Sequence, residues 1–288
     1  MADDVVISGE RDLEAVLASL ARTKRMVFFA GLPGVGKSLF IRELGLAAHA
    51  AGRTVHLLQW DLARPTFVSD SMAARYPERD GETHALIRMA VGRWARGAVV
   101  RWNRERPGAA HLLIGEVPIV GNRLLDLVQV QADGGESLLA GPEALFVTPV
   151  PSTAVRAAIE GARGRTIAKP NHPRESADAP PNMVQLAWRE VQAAATAIGA
   201  APPDPDRQSA YDPAAYAAVY RRLLRHRRAL TLRVEARLEP RTSVYDRDFD
   251  AIELLPTADE AAAAVAQLER ECTVAEIERE TARWFDRV

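Results

Sequence analysis

The chain has 288 residues, of which 48% are hydrophobic, and its formal net charge at pH 7 is −1. A chain of this length can bury a large core, and its balanced charge provides no overall basic field that would attract nucleic acid or anionic membranes. No segment approaches the roughly 18 apolar residues of a membrane-spanning helix, and the acidic beginning of the sequence does not resemble a secretory signal. The single cysteine, Cys272, cannot form an internal disulfide. We therefore expect a cytoplasmic protein that does not bind membranes.

Helical and extended patterns alternate along the chain. The predicted helices are residues 9–24, 37–51, 82–105, 121–132, 151–162, 182–198, 213–228, 257–270 and 273–287. The predicted strands are residues 26–30, 54–60, 111–115 and 144–150, and residues 229–238 show strand-like alternation late in their length. This order predicts an α/β fold, with a doubly wound parallel sheet of about five strands and helices on both faces.

One polar segment interrupts the alternation. Residues 163–181 are rich in proline and charge, so we do not expect them to be regular. We interpret about residues 151–182 as a mobile lid, followed by a helical elaboration over about residues 182–228. No break in composition divides the chain, which favours a single domain covering residues 1–288.

A glycine-rich motif follows the first predicted strand directly. Residues 31–38, GLPGVGKS, match the phosphate-binding P-loop pattern G-x-x-x-x-G-K-S, with an apolar strand before it and a helix after it. The glycines allow a tight turn whose amides approach phosphate oxygens, while Lys37 reaches the β- and γ-phosphates and the Ser38 hydroxyl joins a Mg²⁺ shell. The residues predicted to bind the nucleotide are Gly31, Gly34, Val35, Gly36, Lys37, Ser38 and Leu39. The motif predicts ATP and Mg²⁺ as cofactors.

Two carboxylates are predicted at the ends of strands beside this motif. Asp61 follows the second strand and Glu116 the third, and ligands of open α/β sheets bind at this carboxyl edge. We assign Asp61 to the phosphate acceptor, and Glu116 to Mg²⁺ or to the role of base. Either acid could instead cap the following helix or pair with Arg64. Arg64 and Arg123 are candidates for binding an anionic or hydroxylated substrate, or could form surface ion pairs.

The motif and its neighbours resemble the P-loop kinases of nucleosides and nucleotides. Guanine-specific GTPases carry an Asn-Lys-x-Asp segment that this sequence lacks, and the third strand has no terminal Asp of the kind found in remodelling ATPases. The resemblance is carried by Asp61 with Arg64, by Glu116 followed by Asn122-Arg123, and by a strand that runs into a proline and several arginines. It implies catalytic roles for Lys37, Asp61, Glu116, Arg156, Arg163 and Arg165, with the last three on a closing lid.

The leading hypothesis is an ATP-dependent phosphotransferase acting on a small acceptor such as a nucleoside, nucleotide or sugar. A second hypothesis is a nucleotide-dependent ATPase or switch that binds a protein partner through residues 182–288. A third is a polynucleotide kinase-like enzyme that uses the basic cluster at residues 221–228, although a solvated helix face is the favoured explanation of that cluster.

Overall fold

The computed structural model describes residues 3–79, 81–177, 179–204, 209–238 and 242–287. Within these ranges the chain forms one seven-stranded sheet in the order β1-β6-β5-β2-β4-β3-β7, and every neighbouring pair is parallel. The strands are β1 (Asp3–Ile7), β2 (Met26–Ala30), β3 (Thr54–Gln59), β4 (His111–Val117), β5 (Ala144–Pro151), β6 (Ala229–Val234) and β7 (Ala251–Glu253).

Helices cover both faces of the sheet. They are α1 (Glu10–Thr23), α2 (Lys37–Ala50), α3 (Trp60–Phe67), α4 (Asp70–Arg75), α5 (Ala85–Glu105), α6 (Glu136–Leu139), α7 (Thr153–Ala168), α8 (Pro181–Ala197), α9 (Pro213–Leu223), α10 (Ala258–Glu271) and α11 (Val274–Ala282). No helix in the described part of the chain is long and apolar enough to cross a membrane. The predicted α/β fold with a parallel sheet and helices on both faces is confirmed.

The central strand β2 shows why both faces are covered. All five of its residues are buried. Met26 and Phe28 point into a core shared with α5, α8, α9 and α10, while Val27 and Phe29 point into a second core shared with α1 and α2. A strand that alternates between two apolar cores reads as a continuous hydrophobic run, as expected for a parallel strand in the middle of a sheet.

The predicted number of about five strands is too low. The additional strands are β1 and β7, which form the two edges of the sheet. Residues 229–238 were expected to be extended only late in their length, whereas β6 begins at Ala229 and lies between β1 and β5. Because β6 and β7 come from the C-terminal part of the chain, this part contributes strands to the sheet as well as the helices α8 and α9.

The predicted helix at residues 121–132 is wrong. Two 3₁₀ turns, Val120–Asn122 and Leu125–Leu127, occupy this region. Three residues around the first turn adopt positive φ, namely 66° at Ile119, 68° at Asn122 and 59° at Leu124. Left-handed backbone at these positions reverses the chain and cannot continue a right-handed helix.

The lid region is more regular than its composition indicates. Helix α7 continues through Ala168, so the irregular segment predicted from residue 163 begins later. The hydroxyl of Ser152 accepts a hydrogen bond from the amide of Val155 and caps this helix. A 3₁₀ turn, Pro173–Ala177, follows. The arginines of the predicted lid are therefore held on a helix.

Candidate functional site

The glycine-rich loop, residues 31–36, connects the end of β2 to the start of α2. Gly34 and Gly36 have φ of 76° and 90°, which glycine adopts without a steric penalty. Gly36 is the N-cap of α2 and provides no side chain to cap it. The amides of the first turn of a helix have no partner within the helix, so this uncapped N-terminus presents donors and a positive dipole to an anion.

Lys37 links the glycine-rich loop to strand β4. Its side chain is buried, and its Nζ donates to the carbonyl oxygen of Leu32 at 2.8 Å and lies 3.3 Å from Oε1 of Glu116. Burial lowers the pKa of Lys37, while the nearby carboxylate of Glu116 opposes this shift. The Lys37–Glu116 pair therefore places one cation and one carboxylate beside the glycine-rich loop.

Glu116 lies within β4, because this strand extends to Val117 and does not end at Gly115 as predicted. The register pairs it with Phe29 on one side and with Gln59 on the other. Its Oε2 lies 3.5 Å from Nε2 of Gln59. The main chain of three strands therefore fixes the position of this carboxylate beside the glycine-rich loop.

Asp61 lies in the first turn of α3 and does not close a strand, since β3 ends at Gln59. It is exposed, and its negative charge favours the protonated form of Lys37. Asp61, Glu116, Lys37 and Ser38 all line one cavity of about 970 Å³. The two predicted carboxylates thus meet at the same edge of the sheet, as the strand order requires.

Two of the three predicted lid arginines lie against the glycine-rich loop. A Cβ atom built on Gly34 would lie 3.7 Å from Cζ of Arg156 and 3.7 Å from Nη1 of Arg163. Arg156 is 2% exposed, pairs with Glu160, and has an Nη1 atom with no hydrogen-bond partner among the described residues. Its guanidinium also lies over the ring of Tyr211, 5.1 Å from the centroid.

The third lid arginine, Arg165, is exposed, and of the three arginines only Arg163 is in the described cavity lining. Arg156 and Arg163 are seven positions apart and lie on one side of α7, whereas Arg165 projects elsewhere. Among the predicted nucleotide-binding residues, Gly34, Gly36, Ser38 and Leu39 line the cavity with Lys37. Gly31 and Val35 are buried beneath it.

Arg64 and Arg123 also line the cavity, and each is paired with a glutamate. Nη1 of Arg64 is 2.7 Å from Oε1 of Glu78. Nη2 of Arg123 is 3.4 Å from Oε1 of Glu82, and its Nη1 donates to the carbonyl of Val120 at 2.9 Å. The ion pairs that the sequence analysis gave as the alternative role for these arginines are therefore present. They line the cavity together with their glutamate partners.

Glu190 of α8 adds a carboxylate to this wall that the sequence pattern did not indicate. A Cβ atom built on Gly121 would approach Nη1 of Arg123 and Nη1 of Arg88 to 2.8 Å each, and Oε2 of Glu190 to 3.2 Å. Burial raises the pKa of Glu190, and the two arginines oppose the shift. No local motif marks Glu190, because its neighbours come from other parts of the chain.

The donor atoms at the loop suit a hard cation bound together with phosphate. Among the described residues there is no group of three or more His, Cys, Asp or Glu side chains that could hold a metal ion. Ser38 and Glu116 instead provide one hydroxyl and one carboxylate in the same cavity. Mg²⁺ commonly takes one or two protein oxygens and completes its shell with substrate phosphates and water.

One basic side chain of the cluster at residues 221–228 is buried, whereas Arg221, Arg222, Arg225, His226 and Arg228 are exposed. Helix α9 ends at Leu223, five residues before the predicted end. Arg227 is buried, with Nη1 2.7 Å from Oε1 of Glu136. Arg227 therefore has a structural role and is not accessible for binding nucleic acid.

No protein-family model, no curated protein and no solved structure matches this chain. A function for the protein must therefore be inferred from the motif at residues 31–38 and from the geometry of the cavity.

Proposed function

We propose that this protein is an ATP- and Mg²⁺-dependent phosphotransferase of the P-loop kinase type. The proposal depends mainly on one observation, namely that the Lys37–Glu116 pair shares a cavity of about 970 Å³ with Asp61, Arg64 and Arg123. Pockets for small molecules are typically about 300–1,000 Å³. Such a volume accommodates a nucleoside triphosphate together with a small second substrate.

The donor side comprises the glycine-rich loop, Lys37, Ser38, Glu116 and the two loop-facing arginines of α7. Its amides and cations would bind the triphosphate, since phosphoryl transfer requires positioning and neutralisation of charge more than covalent chemistry. Ser38 and Glu116 would hold Mg²⁺, which neutralises phosphate charge when bound. Lys37 would exchange the carbonyl of Leu32 for a phosphate oxygen, because a charged acceptor is the stronger partner of an ammonium.

The acceptor side comprises Asp61, Arg64, Glu78, Glu82, Arg123 and Glu190. Asp61 is exposed to the cavity and is the carboxylate we assign to the acceptor hydroxyl, whose proton it would accept. Arg64 and Arg123 would orient the acceptor while remaining paired with their glutamates. Arg163 on α7 would face the transferring phosphate and help to exclude water from it.

An acceptor panel tests this proposal. Consumption of ATP is measured with and without nucleosides, nucleoside monophosphates and sugars, for the wild-type chain and for Lys37→Ala. We expect at least one acceptor class to accelerate ADP formation, and the variant to lose this activity. Hydrolysis that proceeds at its full rate without any acceptor would instead support the ATPase hypothesis and contradict the kinase proposal.

A further inference from the structure

Two buried tyrosines on α9 contact the main chain next to both members of the Lys37–Glu116 pair. Tyr216 and Tyr220 are 0% exposed and lie one helical turn apart. The hydroxyl of Tyr216 accepts a hydrogen bond from the amide of Leu32 at 3.4 Å. The hydroxyl of Tyr220 donates to the carbonyl of Pro118 at 2.9 Å.

On the loop side, Leu32 connects Tyr216 to Lys37. The amide of Leu32 donates to Tyr216, and its carbonyl accepts the ammonium of Lys37 at 2.8 Å. The contact is close, since a Cβ atom built on the neighbouring Gly31 would lie 2.6 Å from the Tyr216 hydroxyl. The position of this hydroxyl therefore limits where the first turn of the glycine-rich loop can lie.

On the strand side, Tyr220 holds the main chain just after Glu116. Pro118 follows β4 directly and cannot donate a backbone hydrogen bond, so its carbonyl is its only main-chain polar group. The rings of Tyr216 and Tyr220 pack 4.7 Å apart. One rigid turn of helix thus contacts both the loop that carries Lys37 and the strand that carries Glu116.

We propose that Tyr216 and Tyr220 are positioning residues that set the separation of Lys37 and Glu116, and with it the affinity for ATP and Mg²⁺. Neither hydroxyl is part of the motif at residues 31–38. Burial raises the pKa of both tyrosines, which keeps the hydroxyls neutral and protonated at physiological pH. The inference rests on the proposed function, because it assumes that the loop binds ATP.

Calorimetric titration with ATP, in the presence and absence of Mg²⁺, tests the two tyrosines separately. Tyr216→Phe removes only the acceptor for the Leu32 amide, and we expect the Kd for ATP to rise about fivefold under both conditions, as for the loss of one hydrogen bond. Tyr220→Phe removes the hydrogen bond to the carbonyl of Pro118, next to Glu116. We expect the Kd for ATP to rise about fivefold only when Mg²⁺ is present.

Tyr76→Phe is the matched control. Its hydroxyl also donates a hydrogen bond, to Glu269, but it lies outside the cavity lining among the described residues. We expect Tyr76→Phe to bind ATP as the wild type does, even if its stability falls. Circular dichroism at the titration temperature confirms that each variant is folded.

The outcomes separate the two proposals. If the wild type binds ATP and both α9 variants bind it equally well, the tyrosine proposal is overturned while the proposed function stands. An equal loss of affinity in Tyr76→Phe would likewise overturn it, because the effect would then come from general destabilisation. If the wild-type chain does not bind ATP at all, both proposals fail.

Discussion

The proposed donor and acceptor sides of the cavity are built in different ways. On the donor side, the glycine-rich loop and Lys37 come from one short segment, and Glu116 is fixed by strand register. On the acceptor side, the wall combines α3, the segment around Glu78 and Glu82, the turn at Arg123, and α8. The difference indicates that the proposed donor side is encoded in one local segment of the sequence, whereas the proposed acceptor side depends on tertiary packing.

The largest effect is expected from Lys37→Ala on the donor side. Loss of the buried ammonium removes the main positive charge at the loop, and we expect ATP affinity to fall about 100-fold, which corresponds to about 2.7 kcal/mol. Lys24→Ala is the matched control, because Lys24 lies at the opposite end of β2 and bonds the carbonyl of Pro142 at 2.9 Å. If both variants bind ATP with similar affinity, Lys37 does not contribute to ATP binding.

The next largest effect is expected from Gly31→Ala, which tests how closely the glycine-rich loop packs against α9. Gly31→Ala would place a Cβ 2.6 Å from the Tyr216 hydroxyl and 2.9 Å from Cγ2 of Val35. We expect the free energy of unfolding to fall by about 2 kcal/mol, as for an overpacked core. Urea denaturation of the single variants and of the double variant with Tyr216→Phe measures the coupling. The second substitution should restore part of the loss, since it removes the clashing oxygen, and strictly additive effects would contradict the contact.

Arg64→Ala should affect the acceptor side alone. Removal of its guanidinium should raise the KM for the acceptor about fivefold, with the Kd for ATP unchanged, since a solvent-accessible ion pair with the acceptor would contribute about 1 kcal/mol. Arg104→Ala is the control, because the side chain of Arg104 is 73% exposed and pairs only with its neighbour Glu105 among the described residues. An equal change in ATP affinity would show that the two sides are not independent.

The smallest effect on ATP and acceptor binding is expected from His56, a buried residue of β3 that lies 3.2 Å from His111 and whose titration changes stability instead. Burial lowers the pKa of His56 to about 4. Between this value and 6.5 the unfolded chain binds a proton that the folded chain does not, so stability falls as the pH falls. The full loss is about 3 kcal/mol below pH 4.

Chemical denaturation between pH 4 and 7 measures this loss. His56→Gln should flatten the profile over this range while leaving ATP affinity at pH 7 unchanged, and the exposed His49→Gln should leave the profile as in the wild type. An unchanged slope in His56→Gln would contradict the assignment.

The strand, loop and helix around residues 31–38 could be predicted because their signals are local. The strand, the glycine-rich loop and the helix that follows are contiguous, and each residue type is required by backbone geometry or charge. The meeting of Asp61 and Glu116 at one edge follows from the parallel sheet, even though Asp61 turned out to begin a helix. The observed ends of β3 and β4 differ from the predicted ends by one and two residues, and both side chains still line the cavity.

Features that depend on distant partners were not predictable. Strand β1 begins with two aspartates and pairs with β6, more than 200 residues away, so its short apolar run gave little signal. The spacing of apolar residues at 121–132 fits a helix, but the positive φ of Asn122 and Leu124 prevents one. Glu190, Tyr216 and Tyr220 reach the site only through packing of α8 and α9, which no local pattern encodes.

The fate of the γ-phosphate tests the central claim most directly. ATP labelled at the γ-phosphate is incubated with the wild-type chain, Mg²⁺ and the acceptor panel. The amount of label on each product is compared with the amount of ADP formed. We predict that the label appears on one class of organic acceptor in a one-to-one ratio with ADP, and that Lys37→Ala abolishes this transfer. Recovery of all the label as inorganic phosphate, at the same rate with and without acceptors, would contradict a phosphotransferase.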